Sequence, residues 1–151
     1  MKIIVNKNII LEDVYGSKKN INATFNLFKL RPSYHRISAS KSIAFKNHLK
    51  FVKSRIYRKW FIIKFNENYI GTLYFTFENS IGYFILDKYL YMTNEILRKS
   101  FRIIKPLPKK LSIKQDYFTI NISSKNKKYK KIIKNSGGKE IQNTYIFRRV
   151  K

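Results

Sequence analysis

Apolar and polar positions alternate most clearly in the middle of the chain. An apolar segment at residues 59–65 is followed by the polar triplet 66–68 and by a second apolar segment at 69–77. Two β-prone segments joined by so short a polar connection are typical of a β-hairpin. The polar pair 78–79 then leads into a third apolar segment, 80–86. The pattern therefore predicts an antiparallel meander of three strands.

The segments before this meander predict strand structure and two helices. Residues 3–5 and 9–11 are apolar and predict either a first strand or a hairpin. Residues 22–29 carry apolar side chains at a weakly helical spacing, and Pro32 ends that helix. Ser42 is a candidate N-cap for a better helix that runs through Arg55. Its apolar positions follow a period of three to four residues: Phe45, Leu49, Val52 and Ile56.

Beyond the meander the pattern alternates between helix and strand. Residues 93–104 predict a helix that ends before a pair of prolines, and residues 117–122 predict a strand. Residues 127–135 predict a short basic helix that the glycine pair 137–138 ends as a left-handed cap. Residues 144–149 predict a last strand. The expected fold is α/β (α+β), with a mixed, mostly antiparallel sheet of six to seven strands flanked by about four helices.

Composition limits the class of protein. The 151 residues fit one domain, 1–151, and 44% apolar with 16% aromatic residues supply enough material for a buried core. No apolar run approaches the roughly 20 residues that a membrane-spanning helix needs, and the apolar stretch after the N-terminus is too short for a signal peptide. The absence of cysteine excludes disulfides, thiolate metal sites and thiol nucleophiles. We expect a cytoplasmic location.

The charge admits two explanations. Thirty-three Lys and Arg against 8 Asp and Glu give a net charge of +25, which favours anionic partners such as nucleotides, nucleic acid or acidic lipid. The codon bias of an AT-rich genome would also enrich Lys, Ile and Asn. The densest basic stretch is 105–134, where Asp116 is the only acid. Its sharpest cluster is either a solvated face or a phosphate-binding surface: Lys125, Lys127, Lys128, Lys130, Lys131 and Lys134.

Four segments carry a family resemblance when they are taken in order. They are Leu27–Pro32 with Arg36, His48–Phe51, the pair Ile70-Gly71-Thr72 and Ile81-Gly82-Tyr83, and Asn126–Tyr129 with Gly137. These segments resemble the GCN5-related N-acetyltransferases, and within them the branch that modifies amino-sugar nucleotides or ribosomal-protein N-termini. The first resembles that branch's Trp-Arg-Asn-x-Pro…Arg segment, with Leu30 in place of Trp. The others resemble its His-x-x-Trp/Phe helix, its two strands that begin Ile-Gly, and its Asn-x-x-Ser…Gly-Phe motif.

The resemblance implies acetyl-CoA, or another acyl-CoA, as co-substrate and an amine as acceptor. In such proteins a strand splays from its neighbour, and the pantetheine arm pairs with its backbone. The pyrophosphate lies on backbone N–H groups at the start of the next helix, and a backbone N–H stabilises the oxyanion. The cofactor-binding residues that the resemblance implies are Phe84, Ile85, Leu86, Tyr91, Met92, Thr93, Asn94 and Asn126.

The chain departs from the family pattern where its chemistry lies. Residues 87–93 contain none of the glycines of the pyrophosphate loop, and Tyr91 stands in a glycine's place. Many members carry a Tyr seven residues after the late Asn as general acid, and here that position is Ile133. Tyr129, one helical turn earlier, is the candidate substitute.

The remaining candidates each have a structural alternative. Glu78 is a candidate general base or an exposed turn acid. His48 is a candidate proton acceptor or a packing residue. Arg31 and Arg36 are candidate anion-binding, substrate-binding residues or surface charges. Five sheet aromatics predict either a base-stacking platform or core: Tyr74, Phe75, Phe77, Tyr83 and Phe84. No metal-binding motif is found in the sequence.

Three functions stay open at this point. One is an acyl-CoA-dependent N-acyltransferase acting on an amine of a sugar nucleotide, a small molecule or a protein N-terminus. The second is a nucleic-acid- or ribosome-binding basic module on a catalytically decayed fold of the same type. The third is a partner-binding remnant with neither activity. Open backbone donors at 87–93 would favour the first, and a Tyr91 side chain filling that space would oppose it.

Overall fold

The computed structural model describes residues 1–35 and 44–145. The strands in these residues form one mixed six-stranded sheet. Its strands are β1 Lys2–Ile4, β2 Ile9–Asp13, β3 Lys59–Phe65, β4 Asn68–Phe75, β5 Ser80–Ile85 and β6 Thr119–Ile120. The spatial order is the chain order, β1 to β6. All neighbours pair antiparallel except β5 and β6, which are parallel. The predicted fold class is therefore confirmed, and residues 3–5 and 9–11 form a hairpin rather than one strand.

Within residues 1–35 and 44–145, four α-helices cover the two faces of the sheet. They are α1 Lys18–Leu30, α2 Phe45–Ser54, α3 Thr93–Ile103 and α4 Lys127–Asn135, and two 3₁₀ segments lie at Ser33–His35 and Asp87–Met92. Strand residues alternate between the faces. Trp60 and Ile62 of β3 pack with α1 and α2, whereas Phe61 and Ile63 pack with α3 and α4. None of the helices in residues 1–35 and 44–145 is long and apolar enough to cross a bilayer.

Several predicted boundaries were wrong. Helix α1 begins at Lys18 rather than residue 22, because the side chain of Ser17 accepts a hydrogen bond from the Asn20 N–H and caps it. Ser42, the predicted cap of α2, lies outside the described residues. The predicted strand 117–122 shrinks to two residues. Residues 144–145 form no strand, and 146–149 lie outside the described residues.

The meander follows the prediction closely. Asn66 and Glu67 both have positive φ, 45° and 66°, as the tight turn between β3 and β4 requires. The register of these strands shifts between Ile63 and Lys64, which pair with Gly71 and Tyr69, so Ile70 is a bulge residue. The glycine cap of α4 is confirmed by Gly137, whose φ is 96°.

Asn79 fixes the turn between β4 and β5 and the loop that leads to β6. Its φ is 62° and its side chain is buried. Its Nδ2 donates to the carbonyl oxygens of Leu107 and Gln115 at 2.8 and 2.7 Å, and its Oδ1 accepts from the Leu107 N–H at 2.7 Å. Asn tolerates this left-handed backbone better than most residues. The side chain of this one turn residue therefore anchors residues 107–115 to the β4–β5 turn.

Asn79→Asp is expected to lower the free energy of unfolding by about 3 kcal/mol, because in this buried side chain a carboxylate oxygen replaces the donor that faces two carbonyl oxygens. Urea unfolding at neutral pH measures the loss. Asn94→Asp is the matched control, since Asn94 is exposed in the first turn of α3. Equal stability of the two variants would contradict the role of Asn79.

Candidate acyl-transfer site

A gap opens between β5 and β6 beyond their two paired positions. Ser80 pairs with Thr119 and Ile81 with Ile120, after which β6 ends while β5 continues to Ile85. Among the described residues, the last four of β5 therefore have no strand partner on that side. Such an edge carries backbone donors and acceptors that an extended ligand can pair with.

The side chain of Tyr129 occupies this gap. Its hydroxyl accepts a hydrogen bond from the Ile85 N–H at 2.8 Å and donates one to the Ile85 carbonyl at 3.1 Å. Asn126 caps α4 by accepting from the Tyr129 N–H at 3.2 Å, and its Nδ2 lies 3.3 Å from Nδ1 of His35. The rings of His35 and Tyr129 meet edge-on at 4.4 Å. Asn126, Tyr129 and His35 thus form one buried cluster against β5.

A cavity of about 650 Å³ extends from this cluster across the α1–α2 side of the sheet. Its wall is mainly aromatic, with polar groups near β5 and β6. The aromatic members are Phe25, Phe28, Phe51, Tyr57, Trp60, Tyr74, Tyr83, Phe84 and Tyr129. Arg31 is the only charged side chain in the described part of the wall, which contains no carboxylate.

Both histidines of the chain are buried in this wall. Burial lowers the pKa of His35 below its ordinary value, and the neighbouring charge of Arg31 lowers it further. Burial also lowers the pKa of His48, whose Nε2 lies 3.2 Å from the carbonyl oxygen of Ile21. Both rings are therefore neutral at physiological pH, and a neutral imidazole has a nitrogen lone pair that can accept a proton.

The protein is expected to lose stability between about pH 7 and about pH 5.5, because the unfolded chain protonates histidines whose ordinary pKa is about 6.5 while the folded protein resists it. The unfolded state binds more protons in this window, so the free energy of unfolding rises with pH. Asp87 opposes the effect of Arg31 and Lys128 on His35 without reversing it. Urea unfolding at both pH values should show a slope that the double variant His35→Gln/His48→Gln flattens. An unchanged slope in that variant would contradict the assignment.

The expected pyrophosphate loop is a 3₁₀ helix. Residues Asp87–Met92 run directly into α3, with the Tyr89 N–H bonded to the Leu86 carbonyl and the Thr93 N–H to the Leu90 carbonyl. Tyr91 does not fill the space of the missing glycine, since it is 75% exposed. The prediction of a loop here was wrong, because Leu90 and Met92 are buried and hold the segment against the core.

A second contact joins α4 to the end of β5. Nζ of Lys128 lies 3.1 Å from the carboxylate of Asp87. Lys128 therefore pairs by charge with Asp87, and the adjacent Tyr129 hydrogen-bonds Ile85, so the two contacts lie on either side of Leu86. We call these two contacts the α4 latch.

The structure brings some predicted site residues together and separates others. Phe84, Asn126, Tyr129 and Arg31 all line the cavity. Ile85 bonds Tyr129, and the N–H of the half-buried Leu86 bonds the Ile70 carbonyl. Met92 and Thr93 are buried, and Tyr91 and Asn94 are exposed. Glu78 lies exposed in the β4–β5 turn and is not part of the cavity wall, and Arg36 lies outside the described residues.

The structure also places the five sheet aromatics in different environments. Tyr74, Tyr83 and Phe84 line the cavity, Phe75 is fully buried in the core, and Phe77 is 51% exposed. Sequence reasoning missed His35, Tyr57 and Trp60. Their positions in the cavity wall depend on tertiary packing, and no local pattern marks them.

Comparisons with known proteins agree with this geometry. No family model matches the chain, and no curated protein matches it in sequence. Solved structures do match. An acetyltransferase from Salmonella typhimurium that modifies the N-terminal serine of the 50S ribosomal subunit protein L7/L12 superposes with a TM-score of 0.66 at 16% identity, over 90% of this chain and 83% of the other.

Two further structures are acetyl-CoA complexes. The N-acetyltransferase PseH from Campylobacter jejuni, with acetyl coenzyme A, gives a TM-score of 0.59 at 20% identity over 90% of this chain and 92% of that one. The microcin C7 self-immunity acetyltransferase MccE, with acetyl-CoA and AMP, gives 0.58 at 16% identity over 88% and 79%. The chain thus shares its overall fold with known acetyltransferases, and this is the GCN5-related N-acetyltransferase fold.

Proposed function

We propose that the protein is an acyl-CoA-dependent N-acyltransferase that works as one domain, 1–151, in the cytoplasm and uses acetyl-CoA to acylate an amine. The observation that carries the proposal is the gap between β5 and β6, where the last four residues of β5 have no strand partner among the described residues and an extended chain that displaces Tyr129 can pair with them. The pantetheine arm of CoA is such a chain, with amide groups that hydrogen-bond as a strand does. The acetyl-CoA complexes of two proteins with this fold support the choice of co-substrate.

The residues around the gap supply the groups that acyl transfer needs. The amine nitrogen attacks the thioester carbon, the C–S bond breaks, the amine loses a proton and the thiolate gains one. We assign the proton acceptor to His35, which burial keeps neutral, and the proton donor to Tyr129. The Ile85 N–H, once Tyr129 moves from it, is the donor that stabilises the oxyanion. Glu78 takes no part, because it lies exposed outside the cavity wall.

The phosphates of CoA are assigned to side chains rather than to backbone N–H groups. In the 3₁₀ helix Asp87–Met92, backbone N–H groups donate hydrogen bonds to backbone carbonyls, whereas in a glycine loop they would be available to phosphate. Lys88 and Lys128 are exposed at this point and can bind phosphate as point charges. CoA binding in this protein should therefore weaken more steeply with salt than backbone-bound pyrophosphate would.

The experiment that tests the function is thermal unfolding with and without acetyl-CoA at two salt concentrations. A ligand at 100 times its dissociation constant stabilises the fold by about 2.7 kcal/mol, which shifts the melting temperature measurably. Desulfo-CoA should give a similar shift, since the thioester is not needed for binding. No shift with either compound would overturn the proposal.

His35 has its own kinetic test. His35→Gln should reduce kcat and remove its fall at acid pH, which in the wild type sets in below the ordinary histidine pKa of about 6.5, because the proton acceptor is lost. His48→Gln is the matched control, since His48 contacts a backbone carbonyl and is assigned no proton transfer. Equal losses in both variants would exclude the role of His35.

A second candidate function rests on the charge of the α3–α4 side. Residues 87–140 contain fifteen Lys and Arg against four Asp and Glu. Lys127, Lys131 and Lys134 of α4 are exposed, and of these three only Lys134 pairs with an acid, Glu140 at 3.6 Å. Such a surface favours RNA or DNA through counterion release. It predicts binding of a short RNA whose affinity falls steeply with salt, and salt-independent or absent binding would exclude it.

A further inference from the structure

We propose that the protein docks on an anionic lipid surface through the loop at residues 109–114. The evidence is the closed shape of this loop, the apolar side chains at its tip and the lysines that flank them. The proposal goes beyond acyl transfer and does not depend on it.

The 109–114 loop is anchored at its base and closed at its tip. Lys110 and Lys114 form an antiparallel bridge, in which each N–H donates to the other's carbonyl oxygen at 3.0 Å. The Ile113 N–H also donates to the Lys110 carbonyl oxygen at 3.0 Å. Asn79 binds the backbone on both sides of the bridge, through residues 107 and 115. The backbone thus holds the three tip residues together as a turn.

This turn presents apolar side chains to solvent. Leu111 is 81% exposed, more than any other large apolar side chain in the described part of the chain, and Ile113 is 58% exposed. Phe77 is 51% exposed and adjoins the loop, because Nζ of Lys114 donates to its carbonyl oxygen at 2.8 Å. An exposed apolar group with a charged rim marks an interaction site.

The lysines of the loop select an anionic partner. Lys109 and Lys110 are exposed directly before the tip. Residues 96–115 contain seven Lys and Arg and no Asp or Glu. Asp116 and Glu78 are the acids that adjoin the loop and the β4–β5 turn in sequence, so the positive charge stays in excess. Each Lys or Arg close to an anionic membrane surface adds to the attraction.

The aliphatic character of the tip favours lipid over nucleic acid or protein. Leu111 and Ile113 gain from burial among acyl chains, whereas stacking on bases requires aromatic side chains. A stable protein interface covers about 800 Å² per partner, which is more than a three-residue tip can present. Apolar side chains flanked by lysines are suited to the boundary between anionic headgroups and acyl chains.

Docking at this loop leaves the gap beside β5 accessible. The loop adjoins the β4–β5 turn, next to Ser80, whereas the gap lies at the other end of β5, at Ile85. Five residue steps along a strand span about 17 Å. An acyl-CoA at the gap and a membrane at the 109–114 loop therefore occupy different ends of the strand.

Vesicle sedimentation of the full chain, without acyl-CoA, tests the proposal. The protein should sediment with vesicles of phosphatidylcholine mixed with phosphatidylglycerol and not with phosphatidylcholine alone. Lys109→Gln/Lys110→Gln should weaken this binding about tenfold or more. Lys18→Gln/Lys19→Gln is the matched control, because it removes an exposed lysine pair from α1, where Lys19 acts on Glu67 of the β3–β4 turn.

The net charge of +25 favours any anionic surface, so the apolar tip has its own test. Leu111→Ser/Ile113→Ser should weaken binding to the phosphatidylglycerol vesicles about tenfold. Its urea unfolding should match that of the wild type, since both side chains are exposed. Ile4→Ser is the control for Ile113→Ser and should bind like the wild type, because Ile4 is 59% exposed at the β3–β4 end of the sheet.

Insertion of the tip can be observed directly, because the chain has no cysteine. Ser112→Cys, labelled with nitrobenzoxadiazole, should gain emission and shift to shorter wavelength on phosphatidylglycerol vesicles. The same label on Lys18→Cys should not respond.

Three results would overturn the proposal: no binding to phosphatidylglycerol vesicles, equal vesicle affinity of Leu111→Ser/Ile113→Ser and the wild type, or no change in emission at residue 112. A short RNA is the comparator. If Leu111→Ser/Ile113→Ser lost affinity for RNA and kept it for vesicles, the tip would belong to a nucleic-acid site instead. Because these measurements contain no acyl-CoA, they succeed or fail independently of the acetyl-CoA shift that tests acyl transfer.

Discussion

Replacing Tyr129 by serine should raise the affinity of the protein for acetyl-CoA by about tenfold, because the ligand no longer has to displace two hydrogen bonds worth about 0.5–1.5 kcal/mol each. In the wild type the hydroxyl occupies both backbone groups of Ile85, at 2.8 and 3.1 Å. The ring also fills the gap between β5 and β6. Serine is the residue that the family motif carries at this position, and it removes both obstacles.

The same substitution should cost stability. Tyr129 is buried in the main core cluster, and truncating a buried aromatic side chain leaves a cavity worth about 3 kcal/mol or more. Tyr129→Phe should keep the ring and lose only the hydrogen bonds, so its acetyl-CoA affinity should lie between those of the wild type and Tyr129→Ser. Titration calorimetry at low temperature measures the affinities, and urea unfolding measures the loss of stability.

Tyr83→Phe is the matched control for a lost buried hydroxyl. Its hydroxyl bonds Thr93 Oγ1 of α3 at 3.1 Å, whereas the backbone groups of Ile85 bond Tyr129. It should lower stability without raising acetyl-CoA affinity. Weaker acetyl-CoA binding in Tyr129→Ser than in the wild type would show that Tyr129 holds the ligand rather than blocking it.

Gly71→Ala should lower the free energy of unfolding by about 3 kcal/mol, because the added methyl group meets the backbone rather than a movable side chain. A Cβ at this position would lie 2.3 Å from the Phe84 carbonyl oxygen and 2.9 Å from the Ile85 Cα. Strands β4 and β5 would have to move apart at this point to make room for the methyl group. Since Phe84 and Ile85 border the gap, the variant should also lose affinity for acetyl-CoA.

Gly16→Ala is the matched control for the glycine substitution. The nearest atom to a Cβ there is the Asp13 carbonyl oxygen at 3.8 Å, an ordinary contact. Its stability should stay within about 0.5 kcal/mol of the wild type. Urea unfolding of both variants measures the difference, and equal midpoints would show that β5 adjusts to the methyl group.

The parts of the fold that the sequence predicts are those that local patterns determine. The meander was predictable because alternation, the turn at Asn66-Glu67 and the turn at Asn79 are all encoded within a few residues. The length of the predicted strand 117–122 was overestimated, because only Thr119 and Ile120 form a strand. Its β-prone residues pair with β5 only through Thr119 and Ile120, and a local pattern does not show where a partner strand diverges.

The site was predictable only where family-like motifs cover it. Asn126 and Phe84 were implied by the resemblance, and both line the cavity. His35 carried no signal, because its burial depends on contacts with Asn126 and Tyr129, about ninety residues further along the chain. The 3₁₀ helix at 87–92 was missed because it follows from burial of Leu90 and Met92, whereas the resemblance implied a loop.

The agreement between strand order and chain order has a consequence for how the molecule assembles. Strands β4 and β5 each join their predecessor through a short hairpin, so the part of the sheet from β3 to β5 needs little loop closure and should form early. The last strand joins by two residue pairs across a long connection. We therefore expect the C-terminal third, with α4 and its latch, to open more readily than the hairpins of β3 to β5.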